Sequence, residues 1–256
     1  MNSLSLKIIA VVAMLADHIG FVFGRQLPEY ATALRLFGRL AFPIFCFLIA
    51  EGYVKTSNVH KYALRLLTLA VLSEIPFDMM SGVHSDVPVF INYNAQNVFF
   101  TLLLGLIAIW AIDVNTKLHK AWFGWSLAVL CMVTASFIRA DYGLFGVAFM
   151  IVFFVGRGNH SRVILGILGV LAVRYTFVMM GIDISEMLIL RPFIEPPSER
   201  VVTWAIHNLF AGMALPLIFM CNGKKGYNSK FIQWSFYAFY PVHMVVLYAM
   251  HLMVVA

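Results

Sequence analysis

Apolar residues along this chain gather in long runs, separated by short polar stretches. A helix needs about 20 mostly apolar residues to cross the hydrocarbon of a bilayer. On that basis the pattern predicts nine spans, at 4–24, 36–53, 62–80, 97–113, 122–138, 142–156, 163–181, 201–221 and 231–255. The third and eighth carry several polar groups each, and the sixth is short. No linker, low-complexity tract or clear repeat interrupts the series. The expected architecture is therefore all-α, a polytopic membrane helix bundle of about nine transmembrane helices in a single domain over residues 1–256.

Composition agrees with that reading. Of the 256 residues, 62% are hydrophobic and 12% charged, against about 25% charged in soluble domains. A water-soluble globule of this size needs far more polar surface. The net charge of +6 is spread among apolar runs and does not form a phosphate-tracking stripe, which excludes a nucleic-acid partner. Cys46 and Cys131 lie inside apolar runs and Cys221 ends one, with neither a CxxC nor metal-ligand spacing. No metal is expected. The first apolar stretch contains Asp17 and His18 and no cleavage site follows it, so it reads as a permanent span rather than a signal peptide.

Basic residues set the orientation. Lys55, Lys61, Lys117, Lys120, Arg157, Arg162, Lys224, Lys225 and Lys230 occupy one set of loops, and Arg25, Arg35, Arg139, Arg191 and Arg200 the other. The richer set is cytoplasmic by the positive-inside rule, which places the N-terminus inside and the C-terminus outside. The longer outer loops are then 81–96 and 182–200. The second holds Glu186, Glu195, Glu199 and Pro196-Pro197, the make-up of a solvated connector.

Ionisable groups inside spans are costly, at least about 2.5–3.5 kcal/mol at the bilayer centre, and need a partner, water or a task. Asp17 and His18, Arg39, Glu74 and Asp78, Arg174, His207 with Asn208, and His243 fall within six spans. Arg39 and Arg174 suit ion pairs with Asp17 or Glu74, and together the set predicts a shared interior site. Glu51 and Asp113 sit near cytoplasmic ends and need no function. In the first span Lys7 and His18, eleven residues apart, return to nearly one face and lie roughly 16 Å apart along the axis. A basic mouth of Lys7, Lys55, Lys61 and Arg65 above a buried imidazole suits a long anionic thioester such as an acyl-coenzyme A. Histidine takes and returns a proton near neutrality, so His18 suits a general base or transient acyl carrier. Asp17 points about 100° away from His18 and is a poor orienter for it. Glu74, His243 and Arg39, from other helices, are better candidates for support or for an oxyanion.

The residues that carry this chemistry also carry a resemblance. Lys7-Ile-Ile-Ala-Val-Val-Ala-Met-Leu-Ala-Asp17-His18 and Gly38-Arg39-Leu40-Ala41-Phe42-Pro43-Ile44-Phe45 resemble the first- and second-span signatures of the TraX-type pilin-acetylation proteins of conjugative bacteria. Arg65, Ser73-Glu74-Ile75-Pro76-Phe77, Asn97-Val98-Phe99-Phe100, Asp141-Tyr142-Gly143 and Phe239-Tyr240-Pro241-Val242-His243 follow in family order. A basic residue ten positions before a histidine, and Tyr240-x-x-His243, are also similar to integral-membrane sugar O-acetyltransferases, which usually have Arg in place of Lys7. The resemblance implies an inner-membrane enzyme moving an acetyl group from cytoplasmic acetyl-coenzyme A to a pilin-like or other exported acceptor. His18, Asp17, Arg39, Glu74 and His243 are then the expected catalytic set, and Lys7, Lys61 and Arg65 the expected donor contacts. The rivals are a proton-coupled transporter with an Asp17–His18–Glu74–Arg174 relay, against which the lack of a repeat counts, and a structural assembly factor.

Overall fold

The computed structural model describes residues 1–84, 95–180, 197–224, 226–227 and 229–255. Arg191, Glu186, Glu195, Pro196, Lys225 and most of the two predicted outer loops lie outside the described residues. Eleven α-helices appear among those described: α1 (Ser3–Val22), α2 (Pro28–Gly38), α3 (Ala41–Lys55), α4 (Val59–Ser81), α5 (Val98–Lys117), α6 (Ala121–Phe137), α7 (Gly143–Val155), α8 (His160–Met179), α9 (Pro197–Gly212), α10 (Ala214–Phe219) and α11 (Lys230–Val255). No strand occurs among the described residues. The protein is an all-α, multi-pass membrane protein.

Every predicted span has a helical counterpart, but the lengths differ. Among the described residues, six segments are long and apolar enough to cross a bilayer: Ser3–Val22, Pro28–Lys55, Val59–His84, Val98–Lys117, His160–Phe177 and Phe231–Val255. The other three, Ala121–Phe137, Gly143–Val155 and Ala205–Phe219, are shorter apolar helices. Two predicted spans are also broken. The second, 36–53, runs across the end of α2 and the start of α3, and the eighth, 201–221, across α9 and α10. A proline follows each break, although Pro76 and Pro241 lie inside α4 and α11 without ending them. Pro43 and Pro216 are each the third residue of a helix, where the missing N–H has no intrahelical acceptor to lose. Had the preceding helix continued, their rings would have met the carbonyls of Arg39 and Gly212. Arg39 therefore stands at a helix junction, not in the outer part of an unbroken span.

The described residues form two compact units. The first comprises Met1–Phe45, Thr68–Asn97 and Leu209–Ala256, the second Cys46–Leu67 and Val98–Asn208. In the first, α1 packs on α2 and α11. Asn2 caps α1, its Oδ1 accepting from Ser5 N at 2.9 Å. Gly20 lets α2 approach closely, since a Cβ there would stand 2.9 Å from Ala31 O. Small residues allow such close approach in membranes, where tight packing replaces the hydrophobic effect between helices. The start of the chain is tied to the segment before α11: Met1 N donates to Met220 O and Ser3 N to Lys224 O, both at 2.9 Å. Contacts then climb α1 and α11 in the same order. Lys7 stands over Phe236, His18 meets His243 and Phe23 meets His251, so the two helices run parallel.

In the second unit α5 packs on α6 and α7, and α7 on α8. Leu106, Ile109, Val147 and Met150 form its fully buried centre. Gly105 faces Met150 Sδ so closely that any added Cβ would collide with it. The Asp141-Tyr142-Gly143 turn joins α6 to α7. Tyr142 and Gly143 both take positive φ, at 66° and 47°, and the Asp141 carbonyl accepts from the Thr101 hydroxyl. That motif shapes a turn. At the helix ends of this unit, Glu51 bridges Lys55 at 2.8 Å and Arg157 at 2.7 Å. Asp113 accepts from Tyr53 at 2.8 Å and Lys117 at 2.6 Å.

Candidate functional site

The parallel contact of α1 and α11 brings His18 onto His243, with Nδ1 of the first 2.6 Å from Nε2 of the second. The ring planes differ by 1° and the centroids are 4.9 Å apart. That separation is the hydrogen bond plus the two ring radii, so the imidazoles lie edge to edge in a common plane rather than face to face. Tyr240 meets both rings at the same 67°, as parallel planes require.

The far nitrogen of His243 fixes the direction of the bonds. Its Nδ1 lies 2.8 Å from the Phe239 carbonyl, an oxygen that only accepts. His243 Nδ1–H is therefore the donor. With both rings neutral, His243 Nε2 is then an acceptor, and His18 Nδ1–H donates to it. This network assigns the proton on His18 to Nδ1 and leaves its Nε2 as a bare lone pair. Nothing among the described residues hydrogen-bonds to that nitrogen. A lone pair on a half-buried, oriented imidazole is the arrangement a general base requires.

Asp17 turns the other way, toward α2. Its two carboxylate oxygens each accept from a guanidinium, Oδ2 from Arg35 Nη1 and Oδ1 from Arg39 Nη2, both at 3.1 Å. Arg39 Nε also donates to the Arg35 carbonyl at 3.3 Å. Gly38 makes this contact possible, since a Cβ there would lie 2.2 Å from Asp17 Cβ. The Asp17-His18 and Gly38-Arg39 dipeptides thus meet in space. Arg35 was not anticipated as a partner because it falls in an outer-loop count. Its spacing of four from Arg39 was the available signal, since residues four apart share a helix face.

Glu74 belongs to a different arrangement in the same unit. Its Oε2 accepts from the Asn97 side chain, and Asn97 Nδ2 also reaches the Ala70 carbonyl at 2.8 Å. Asn97 is fully buried and tied to Ala70 and Glu74 of α4. Glu74 Oε1 and Ser73 Oγ are buried without a hydrogen-bond partner among the described residues. Lys7 is exposed at the far end of α1, 5.9 Å from the Phe236 ring centre. Lys61 and Arg65 lie on exposed positions of α4 within the second unit. Arg65 Nε donates to the Lys61 carbonyl, and its guanidinium lies over Tyr62. Arg174, in the second unit, stands over Phe145 at 5.2 Å.

Comparison with known proteins now decides the family. A family model described as TraX protein matches residues 3–251, nearly the whole chain. The chain belongs to the TraX family. A relative, named as the probable fimbrial assembly protein FimC, serogroup H1, of Dichelobacter nodosus, is 29% identical over 96% of this chain and 94% of its own length. A second, the uncharacterized protein RP591 of Rickettsia prowazekii (strain Madrid E), is 25% identical over 61% of this chain and 56% of its own. No solved structure matches. In this TraX-family chain, the resembling motifs divide by role. The first-span, second-span and last-span motifs converge on Asp17, Arg39 and the imidazole pair, whereas the Asn97 motif is tied to α4 and the Asp141-Tyr142-Gly143 motif shapes a turn.

Proposed function

We propose that this TraX-family protein is an inner-membrane acetyltransferase. It takes acetyl groups from cytoplasmic acetyl-coenzyme A and passes them to an exported acceptor, the N-terminal amine of a pilin-like protein. The observation that carries the reading is the directed chain from His18 through His243 to the Phe239 carbonyl, which leaves His18 Nε2 free. The acceptor nitrogen attacks the thioester carbonyl while His18 Nε2 removes its proton. The C–N bond forms, the C–S bond breaks, and His18 returns the proton to the departing thiolate. While His18 carries the extra proton, its Nδ1–H bond to His243 strengthens and spreads the charge toward the Phe239 carbonyl. Arg39, pinned by Asp17 and by the Arg35 carbonyl, keeps further N–H groups with which to stabilise the oxyanion. A fimbrial assembly name on the Dichelobacter relative supports an acceptor among pilus subunits. The tie between Met1 and Met220 supports placing the N-terminus on the same side as the Lys-rich segment before α11, the side assigned to the cytoplasm.

The test is direct. Purified protein in nanodiscs is given acetyl-labelled coenzyme A and a pilin-like peptide with either a free or a blocked N-terminus. Label transfer to the free amine alone is the expected result. Proton-coupled solute flux in liposomes without any transfer would replace the enzyme by a transporter.

A further inference from the structure

A second pair of histidines stands in the first unit, at the end away from Met1, and no step of the acetyl transfer described above uses it. His84 closes the 3-10 turn Gly82–His84 that follows α4, and His251 lies near the end of α11. Their ring centres are 6.4 Å apart and the planes are perpendicular, at 89°. Phe21 of α1 lies 5.2 Å from His84, and Phe23, just beyond α1, lies 6.3 Å from His251. His84 Nε2 is 2.9 Å from the Phe21 carbonyl, an oxygen that only accepts. The neutral ring therefore carries its hydrogen on Nε2 and keeps a bare lone pair on Nδ1. That Nδ1 and the Nδ1 of His251 are both buried without a hydrogen-bond partner among the described residues.

A buried polar atom left unpaired costs about 1–3 kcal/mol, and two of them on neighbouring rings call for a shared ligand. Where His18 and His243 bond directly, the ring centres are 4.9 Å apart. The wider spacing of His84 and His251 leaves room for one hydrogen-bonding group between them. That group has to donate to His84 Nδ1, whose tautomer is fixed. No bond fixes the tautomer of His251, so its Nδ1 can donate or accept. Charge narrows the choice. Arg35 of α2 stands over the Phe21 ring at 5.3 Å, and no carboxylate pairs with either imidazole among the described residues. A cation placed here would be stripped of water with no anion to replace it, which disfavours an ammonium or a metal ion. A neutral primary amine meets every condition. Its N–H donates to His84 Nδ1, and its lone pair accepts from His251 Nδ1–H. An acylated nitrogen keeps the N–H but has no lone pair to offer.

We infer that His84 and His251 form an entry station for the acceptor, holding its terminal amine in the neutral form. The inference rests on the acetyltransferase reading for the identity of that amine. His251 lies eight residues beyond His243 on α11, roughly 12 Å along the axis, so the amine waits here before it advances to His18. An α-amine is mostly protonated below its ordinary pKa of about 7.7–8.0; on entry R–NH3+ gives its proton to water and R–NH2 is bound. The probe is a pilin-like peptide with a free or an acetylated N-terminus, titrated by calorimetry onto the full chain in nanodiscs without acetyl-coenzyme A. At pH 8 the free peptide should bind about tenfold tighter, and most of that preference should vanish at pH 6.5, where little neutral amine remains. His84→Phe and His251→Phe should each abolish the preference. His84→Gln keeps a donor for the Phe21 carbonyl but no ring nitrogen, so it should melt like the wild type and still lose about fivefold. Equal binding of the two peptides to the wild type, a preference indifferent to pH, or a preference kept by His84→Gln overturns the inference. So does a stoichiometric metal ion in the purified wild type that is missing from the Phe variants. Acetyl transfer is measured separately, and the variants should raise the KM for peptide about tenfold without changing that for acetyl-coenzyme A. If the peptide KM is unchanged, the station falls while the enzyme reading stands. Amine-selective binding that the variants lose, without any transfer, leaves the station in place and removes the enzyme reading.

Discussion

Asp17 in the first unit and Glu51 in the second are built alike: each is a mostly buried carboxylate held between two cations. They differ in what surrounds them. Glu51 lies near helix ends, and its partners Lys55 and Arg157 are 29% and 46% exposed. Asp17 lies within α1, next in sequence to an imidazole with an uncommitted nitrogen, and its partners Arg35 and Arg39 are 34% and 20% exposed. Identical chemistry closes one end of a bundle in the first case and fixes guanidinium groups beside a base in the second. An ion pair inside a membrane protein is thus read from its neighbours, not from its members.

Substitutions that treat the two regions differently sharpen the contrast. The largest effect is expected from His18→Ala, which removes the base itself. Acetyl transfer should fall about a thousandfold while membrane insertion, followed by fractionation, is unchanged. Retained activity would take His18 out of the mechanism. Asp17→Asn comes next, because it leaves two guanidinium groups without their anion; a loss of about 3 kcal/mol in stability should appear as a lowered unfolding midpoint in detergent. Replacing His243 separates its acceptor role from its bulk. His243→Phe should cut kcat about a hundredfold, whereas His243→Gln, whose side-chain oxygen can still accept from His18, should cut it only about tenfold. Equal losses would mean that His243 merely fills space. Gly38→Ala forces a Cβ into Asp17 and should cost about 1–3 kcal/mol, read from the same melts. The smallest effect is predicted for Glu51→Gln, under about 1 kcal/mol with acetyl transfer retained. A loss at Glu51 matching that at Asp17 would erase the distinction.

Much of this architecture was legible in the chain. Long apolar runs announce spans because a helix is the cheapest way to satisfy a backbone in lipid. Asp17 and Arg39 could be matched because unpaired charges at that depth are costly. Sequence also put Asp17 and His18 on different walls of α1, and the structure shows one turned to α2 and the other to α11. What a one-dimensional count missed has physical causes. Pro43 and Pro216 lie inside runs that stay apolar overall, yet the helix before each one stops short of it. Arg35 is apolar along its stem and charged at its tip, so a residue assigned to a loop reaches back to a buried partner. The proton direction in the His18–His243 pair depends on a third atom, the Phe239 carbonyl, which is common to every residue and invisible in a side-chain pattern.

The two imidazoles are separated by 225 positions along the chain. A ribosome delivers His18 early and His243 only with α11, so the pair cannot exist while the intervening helices are being threaded into the lipid. A nascent or prematurely stopped chain would carry the anchors of the protein but not its oriented base, which ties chemical competence to arrival of the last helix at its parallel seat on the first.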